Sequence, residues 1–335
     1  MTSRPAVSVC VPTYNYGRFL RDCIESVLAQ TLADWELVIT DDASSDDTEA
    51  IVTRYAAADA RVRYVRNPER LGMTGNLRRA AGLGRGRYLK MLCADDWLAP
   101  GCLGALHGLM EAHPAAVLAT AAEIHTDAEG RPLRVQFLFG KPLSVFTGEA
   151  MLDRMARGQG FGGNSSFFIR AEAYHGVGGY DATVKYASDY DLAARLCRTG
   201  DYLHTDEPLF YGRHHAAASS VVDPANLLDV TDRFGVPARV FQPRRFGNRD
   251  WRRHHRLATA LTAQYLLNAV LESLRGRRQY ARQLVGIVAR EGNLWLGVPL
   301  LALHVPARIG RRIARSLTST GRRPEAWMMA PTRRA

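Results

Sequence analysis

Three carboxylate pairs are spread along a chain of 335 residues: Asp41-Asp42, Asp95-Asp96 and Asp189/Asp191. The first two each end a short apolar run, Glu36-Leu37-Val38-Ile39-Thr40 and Tyr88-Leu89-Lys90-Met91-Leu92-Cys93-Ala94. Short apolar runs bounded by turn residues read as buried strands. Ligands of open α/β sheets bind at strand ends. Two carboxylates at such an end form a hard oxygen site for Mg²⁺ or Mn²⁺, ions that usually arrive with phosphates. The chemistry suggested is therefore that of a metal-bound nucleotide or sugar nucleotide. The competing reading of an isolated Asp-Asp pair is a solvated turn. If the strand continues through Asp95 and Asp96, their side chains face opposite ways.

These residues need elements to position them. Val7 to Val11 is a β-branched run that stops at Pro12-Thr13-Tyr14-Asn15, and Phe19, Leu20, Cys23, Ile24, Val27 and Leu28 then recur at helical spacing. After the Glu36 strand, Ser44-x-x-Asp47 matches a capping box opening a helix through Ile51, Val52 and Tyr55. Val62 to Val65 gives a third strand, Asn76 to Ala81 a helix, and the Tyr88 run a fourth strand. Gly82-Leu83-Gly84-Arg85-Gly86 precedes a strand and opens no helix, so it reads as a turn and not as a dinucleotide fingerprint. Strand and helix alternate through short connections, which predicts a doubly wound, largely parallel α/β sheet. Further strands are expected at Val117–Ile124, Leu133–Phe139 and Ser165–Arg170, then a glycine turn at 176–181 and a helix from Ser188 through Leu196.

The composition, 47% hydrophobic and 23% charged, is that of a soluble chain with ample core material. No apolar stretch reaches the 18 residues of a membrane span, and Met1-Thr2-Ser3-Arg4-Pro5 leads straight into a strand, so neither a transmembrane helix nor a signal peptide is expected. Five cysteines without a Cys-x-x-Cys pair argue against a disulfide framework or zinc site and favour a reducing cytosol. The net charge of +11 is concentrated after Arg239. No zinc finger, RNA-recognition signature or basic zipper occurs, so no nucleic-acid partner is expected. Helical periodicity covers about 254–290, followed by the apolar stretch Leu294–Leu303. Arg308–Leu317 then sets Ile309, Ile313 and Leu317 on one face and arginines on the other, a pattern suited to an anionic membrane surface.

Four segments taken together carry a resemblance. They are Val9-Cys10-Val11-Pro12-Thr13-Tyr14-Asn15, Val38-Ile39-Thr40-Asp41-Asp42-Ala43-Ser44-Ser45-Asp46-Asp47-Thr48, Ala94-Asp95-Asp96-x-x-x-Pro100-x-x-Leu103, and Ser188-Asp189-Tyr190-Asp191-Leu192. In this order and spacing they resemble the family 2 glycosyltransferases of GT-A fold, over roughly residues 5–220. The resemblance implies an inverting transferase that uses a nucleotide-diphosphate sugar and a divalent metal, Mg²⁺ or Mn²⁺. It implies that Pro12, Thr13 and Tyr14 flank the nucleotide base, with Tyr14 stacking, and that Asp42 accepts hydrogen bonds from base or ribose. Asn76 and Arg78 are candidates to approach the donor. Asp95 is implied as a ribose or metal contact and Asp96 as a metal ligand. Relatives commonly carry another Asp two residues before Asp95, where this chain has Cys93, a poor ligand for such ions. Arg213-His214-His215 resembles an Arg-x-His element in which His215 completes the metal shell, with His214 as runner-up.

Such a reaction needs a base to deprotonate the acceptor hydroxyl. Asp189 and Asp191, two residues apart, cannot share one helix face. Ser188-x-x-Asp191 matches a capping box, which leaves Asp189 free, and the family pattern also favours Asp189. Gly162, Gly163, Asn164, Ser165 and Asp191 are candidates for the acceptor side. The expected organisation is a catalytic domain over 1–235 (donor part about 5–105, acceptor part about 106–235), a basic helical extension over 236–317 and a disordered tail over 318–335. The acceptor is expected to be a saccharide or a lipid-linked molecule. The location is expected to be the cytoplasm, peripheral to the inner face of the cell membrane. A nucleotidyltransferase on a related sheet is the rival enzyme, but it would show a glycine-rich basic loop after the first strand. A non-enzymatic membrane- or nucleic-acid-binding module fits only the basic C-terminal part.

Overall fold

The computed structural model describes residues 4–215, 227–242, 247–274 and 276–292. Strands and helices alternate from the start: β1 (Val7–Thr13), α1 (Gly17–Leu28), β2 (Trp35–Asp41), α2 (Thr48–Ala58), β3 (Val62–Arg66), α3 (Gly72–Leu83) and β4 (Tyr88–Met91). Then come β5 (Trp97–Leu98), α4 (Cys102–Ala112), β6 (Ala116–Thr126), β7 (Pro132–Gln136), β8 (Leu143–Phe146) and α5 (Gly148–Met155). A 3-10 turn at Asn164–Ser166, β9 (Phe168–Arg170), α6 (Ala171–Gly176), α7 (Ser188–Leu196) and β10 (Asp201–Arg213) follow. The last described elements are α8 (Leu228–Val240), α9 (Asn248–Leu274) and α10 (Arg278–Glu291).

The strand order is β3-β2-β1-β4-β9-β6-β10-β5, with β7 on β6 and β8 on β10. The β3-β2-β1-β4 half and the β6–β10 pair are parallel, while β9 runs antiparallel between β4 and β6. The chain leaves β1 on one side for β2 and β3, then crosses to β4 on the other. That reversal is a topological switch point, and it opens a crevice at the carboxyl ends of β1 and β4. The apolar face read from the sequence does build the core: Val7, Val9 and Val11 cluster with Leu20, Cys23, Ile24 and Val27 of α1.

Local details differ from the sequence reading where distant residues intervene. The Ser44/Asp47 capping box does not form. Asp46 holds the α2 start instead: one carboxylate oxygen accepts from the Thr48 amide at 3.1 Å, and the other from the Gly17 amide of α1 at 2.9 Å. One carboxylate thus satisfies orphan donors of two helices, and the Ser44 hydroxyl accepts from the Asn15 amide instead. The expected strand at Ser165–Arg170 is shortened to Phe168–Arg170, because the Ser166 hydroxyl closes a turn on the Gly163 carbonyl at 2.7 Å. The turn before β4 requires its glycine: a Cβ at Gly86 would lie 2.5 Å from the Ser8 nitrogen.

Contacts divide the chain between Leu257 and Ala258. The boundary expected at 235–236 falls inside α8 (Leu228–Val240). In the first unit, Arg253 is buried and donates to Asp153 at 2.7 Å and Glu149 at 2.8 Å of α5, which fixes the start of α9. In the second unit, α10 and the rest of α9 bury Tyr265, Ala269, Ala281, Leu284, Ile287 and Val288. The segments at Leu294–Leu303, Arg308–Leu317 and 318–335 lie outside the described residues.

Candidate active site

At the β1 and β2 ends, both members of the first carboxylate pair turn inward. Asp41 accepts from the Ser44 amide at 2.9 Å, the Tyr64 hydroxyl at 2.7 Å and Arg66 at 2.8 Å. Asp42, also buried, accepts from Asn67 Nδ2 at 2.9 Å and from the Leu71 and Gly72 amides at 2.7 and 2.9 Å. A carboxylate offers about four lone-pair sites, so little of Asp42 is left for a base or ribose. Asn76 is likewise consumed. Its amide group donates to the Thr13 carbonyl at 3.2 Å and the Thr40 carbonyl at 2.9 Å, and its oxygen accepts from Asn67. Asp42 and Asn76 therefore lace the β1 and β2 ends to the start of α3. Arg78 is exposed on the outer side of α3. Tyr14 is half-buried with the Arg70 guanidinium 3.9 Å from its ring centre, and Pro12 lies half-buried just before it. The Thr13 hydroxyl is buried and finds no partner among the described residues.

At the β4 end, the strand stops at Met91, so Asp95 and Asp96 do not alternate across a pleat. They sit in a turn closed by the Asp96 amide donating to the Cys93 carbonyl at 3.1 Å. The turn brings Cys93 Sγ and one carboxylate oxygen each of Asp95 and Asp96 within 4.8 Å of one another. Asp96 Oδ1 accepts from the Arg213 amide at 2.9 Å. Burial and the adjacent Asp95 charge hold the Asp96 carboxyl well above the usual carboxylate range, against hydrogen bonds from Ser165 and Arg213. Burial, Asp96 and Asp95 also push the Cys93 thiol up, so it stays protonated and a weak ligand.

The Arg-His-His segment supports this turn from β10. Arg213 is buried and donates to the Asp95 carbonyl at 3.1 Å, the Ala128 carbonyl at 2.9 Å and Asp22 at 2.5 Å. Its guanidinium lies 4.8 Å from the Phe19 ring and 4.7 Å from Trp97. His215 Nε2 meets Asp95 Oδ2 at 3.1 Å, with its ring 4.7 Å from Phe19, while its Nδ1 is buried without a partner among the described residues. His214 turns the other way and stacks on His125 at 4.4 Å. The adjacent histidines thus part, and only His215 joins the acidic turn. Two adjacent carboxylates, beside a histidine whose Nδ1 has no partner among the described residues, fit a divalent cation.

At the start of α7, Asp189 is half-buried and accepts from the Tyr190 amide at 2.7 Å. Burial raises its carboxyl above the usual range, against the Tyr190 amide and the Arg233 charge. A Cβ placed on Gly163 would lie 4.0 Å from Asp189 Oδ2, so the bare glycine backbone faces this carboxylate. Gly162 has φ +89°, which an L side chain rarely adopts. Asn164 Oδ1 accepts from the Tyr180 hydroxyl at 2.7 Å, and the buried Ser165 hydroxyl accepts from the Cys93 amide at 2.9 Å. Ser165 therefore joins the 162–165 loop to the acidic turn.

The Ser188/Asp191 capping box does not form either. Asp191 is buried and held by Arg195 at 2.9 and 2.5 Å, and Arg195 also donates to the Val177 and Gly179 carbonyls. Asp191 thus anchors the glycine turn through Arg195. The α7 start is capped from α8, where Asp232 Oδ2 accepts from the Tyr186 and Ala187 amides at 2.9 Å each. No signal near Asp189 points to Asp232.

Lys90 also escaped the sequence reading. It is wholly buried, donates from Nζ to the Ser165 carbonyl and lies 5.3 Å from the Phe210 ring. Burial lowers its pKa, so the unfolded chain binds a proton that the folded chain resists. Between that lowered value and the ordinary 10.5, stability rises with pH. Chemical denaturation from pH 7 to about 10 should show this slope for the wild type and a flatter one for Lys90→Met. Parallel slopes would mean that Lys90 is not desolvated.

Residues 8–175 match the glycosyl transferase family 2 profile. The chain is 28% identical over 222 residues to the chondroitin synthase of Escherichia coli, covering 65% of this chain and 30% of that protein. It is 26% identical over 221 residues to the hyaluronan synthase of Pasteurella multocida, covering 65% of this chain and 21% of that protein. The chain thus spans under a third of the length of either synthase. The solved structure of S. aureus TarS residues 1–349 in complex with UDP-GlcNAc superposes with a TM-score of 0.60 at 16% identity, over 76% of this chain and 71% of that one. That similarity carries the GT-A fold. With the profile match over half of the chain, the chain belongs to glycosyl transferase family 2.

Proposed function

We propose that this glycosyltransferase moves a sugar from a nucleotide-diphosphate donor to a hydroxyl of a saccharide or lipid-linked acceptor, with inversion, in the synthesis of a cell-surface polysaccharide or glycoconjugate. The observation that carries this reading is a division of labour between carboxylates. Asp95 and Asp96 form a charge-deficient cluster at the switch-point crevice, while Asp189 stands apart with a raised proton affinity and open glycine backbone before it. The domain that does this work is the first compact unit, and the helices after Leu257 form the extension.

Pro12, Thr13 and Tyr14 flank the base, with the unpartnered Thr13 hydroxyl available to it and Tyr14 stacking on it. Asp42 and Asn76 act one step back, by fixing the strand ends that present these residues. Asp95, Asp96 and His215 would hold Mg²⁺ or Mn²⁺, with Cys93 outside the ligand set, and a cation bound there would supply positive charge to the departing diphosphate. Asp189 takes the proton of the acceptor hydroxyl as that oxygen bonds to the anomeric carbon. The bond from this carbon to the diphosphate oxygen breaks at the same time, and its electron pair leaves with the nucleotide. Attack from the face opposite the nucleotide inverts the centre. Asn164, Ser165 and the glycines before them line the acceptor side.

UDP-, dTDP- and GDP-sugars are to be compared by thermal shift with Mn²⁺, and again with chelator. TarS, solved with UDP-GlcNAc, puts uridine donors first. One base class should stabilise the protein by about 2.7 kcal/mol at a hundredfold excess over Kd, and chelator should remove the effect. A panel with no stabilising donor would sink the assignment.

The protein also works as a peripheral enzyme on an anionic membrane. Among the described residues no helix is long and apolar enough to cross a membrane. In the second unit, however, Leu266, Ala269, Val270, Ala281 and Val285 line a groove of about 720 Å³ with Arg278 and Arg282 at its side. Leu274 at the helix end is 79% exposed. Apolar residues rimmed by arginines suit a headgroup boundary. The full chain should float with vesicles containing anionic lipid and float less after Leu274→Asp with Val285→Asp. Undiminished flotation would rule out this face.

A further inference from the structure

A second group of metal-ligand side chains lies outside the acidic turn. Glu123 and His125 project from the same face of β6, two residues apart, and His214 follows the end of β10. The Glu123 carboxylate and one nitrogen of each histidine come within 4.8 Å of one another. We infer that Glu123, His125 and His214 form a binding site for a borderline divalent transition metal such as Zn²⁺, separate from the donor's Mg²⁺ or Mn²⁺ site.

The donor set decides the class of ion. Two imidazoles and one carboxylate suit zinc and its neighbours, whereas Mg²⁺ and Mn²⁺ prefer oxygen shells. Orientation supports ligation. His125 Nε2 meets Gln136 Oε1 at 2.9 Å, an acceptor, so Nε2 carries the hydrogen and Nδ1 keeps its lone pair. That Nδ1 faces His214 Nε2 in close contact. Glu123 receives no hydrogen bond from the described residues, and its nearest partner is His125 Nε2 at 3.8 Å. Its carboxylate rests on bare backbone, because a Cβ at Gly212 would lie 1.9 Å from Glu123 Oε1.

One cation competes for the place. Arg134 Nη2 donates to His125 Nδ1 at 3.3 Å, so it occupies the lone pair that an ion would need. Arg134 is exposed and free to swing aside. An ion bound here would clip β6 to the end of β10, where the neighbouring His215 meets Asp95. It would therefore act as a positioning ion for the His215 segment.

The test is calorimetric titration of the full chain with Zn²⁺ under saturating Mg²⁺, in the wild type and in Asp96→Asn. Both should bind one equivalent. His125→Ala and Glu123→Gln should lose it, Gln136→Ala should weaken it roughly ten- to a hundredfold, and Arg134→Ala should tighten it. Co²⁺ gives a second readout, a visible absorption band present in the wild type and absent in His125→Ala. Unchanged melting of the variants without metal shows that they fold. Zinc binding lost in Asp96→Asn but kept in His125→Ala would assign the ion to the donor site and overturn the inference, as would no binding by the wild type. Neither result would touch the transferase assignment, which rests on Asp189 and the nucleotide-sugar panel.

Discussion

Asp189→Asn should lower kcat by roughly 10²–10⁴-fold, the usual range for a lost general base, and leave the affinity for the nucleotide sugar unchanged. The asparagine keeps the shape of the side chain and an oxygen for the Tyr190 amide, so only proton acceptance is removed. The wild-type profile of kcat/KM against pH should have its acid limb above the ordinary aspartate value of 3.8, because burial raises this carboxyl. The limb should disappear from the residual activity of the variant. Stability moves the other way. A carboxyl raised on folding contributes stability at low pH that is lost as pH rises through its folded value. Burial disfavours the charged form of Asp189, so the variant, which carries no charge there, should melt no lower than the wild type. Retained turnover in Asp189→Asn would sink the base assignment, whereas lost donor binding would make Asp189 a donor contact.

Asp96→Ala and Asp96→Asn should both abolish the metal-dependent part of donor binding. In the thermal-shift experiment this is loss of the roughly 2.7 kcal/mol stabilisation expected at a hundredfold excess of donor and metal. Turnover should fall by at least about 10²-fold, the scale of losing one preorganised charge at a leaving group. The two substitutions separate charge from architecture. Alanine removes the acceptor for the Arg213 amide, and asparagine retains it. The asparagine variant without ligand should melt at or above the wild type, since it relieves the repulsion between Asp95 and Asp96. Equal donor binding with and without chelator in the wild type would refute the metal role altogether.

Much of the fold was legible because its signals are local. Alternating apolar runs and helical stripes gave β1 to β4 and their helices, the first two acidic pairs were read at strand ends, and the third was read at a helix start, where it lies. The element ends were less legible. Ser44/Asp47 and Ser188/Asp191 both carry capping-box spacing, yet Asp46 and Asp232 do the capping. Spacing lists the donors and acceptors within one turn, but an acceptor brought from elsewhere in the fold wins when it reaches two orphan amides at once. Asp232 does so across 45 and 46 residues.

The sequence by itself determined the family, the order of the motifs and the location of acidic side chains at strand ends, since hydrophobic patterning and motif spacing are properties of short stretches. Only the tertiary structure decided which of those side chains remain available for chemistry. Asp42 and Asn76 are taken up by strand ends and the start of α3, and Asp191 by Arg195. Asp96 and Asp189 are left with carboxyls raised by burial, and Asp95 stands beside Asp96 in the same turn. The reason is that a carboxylate's lone pairs and solvation are settled by donors from distant segments, and those meet it only once the sheet has formed.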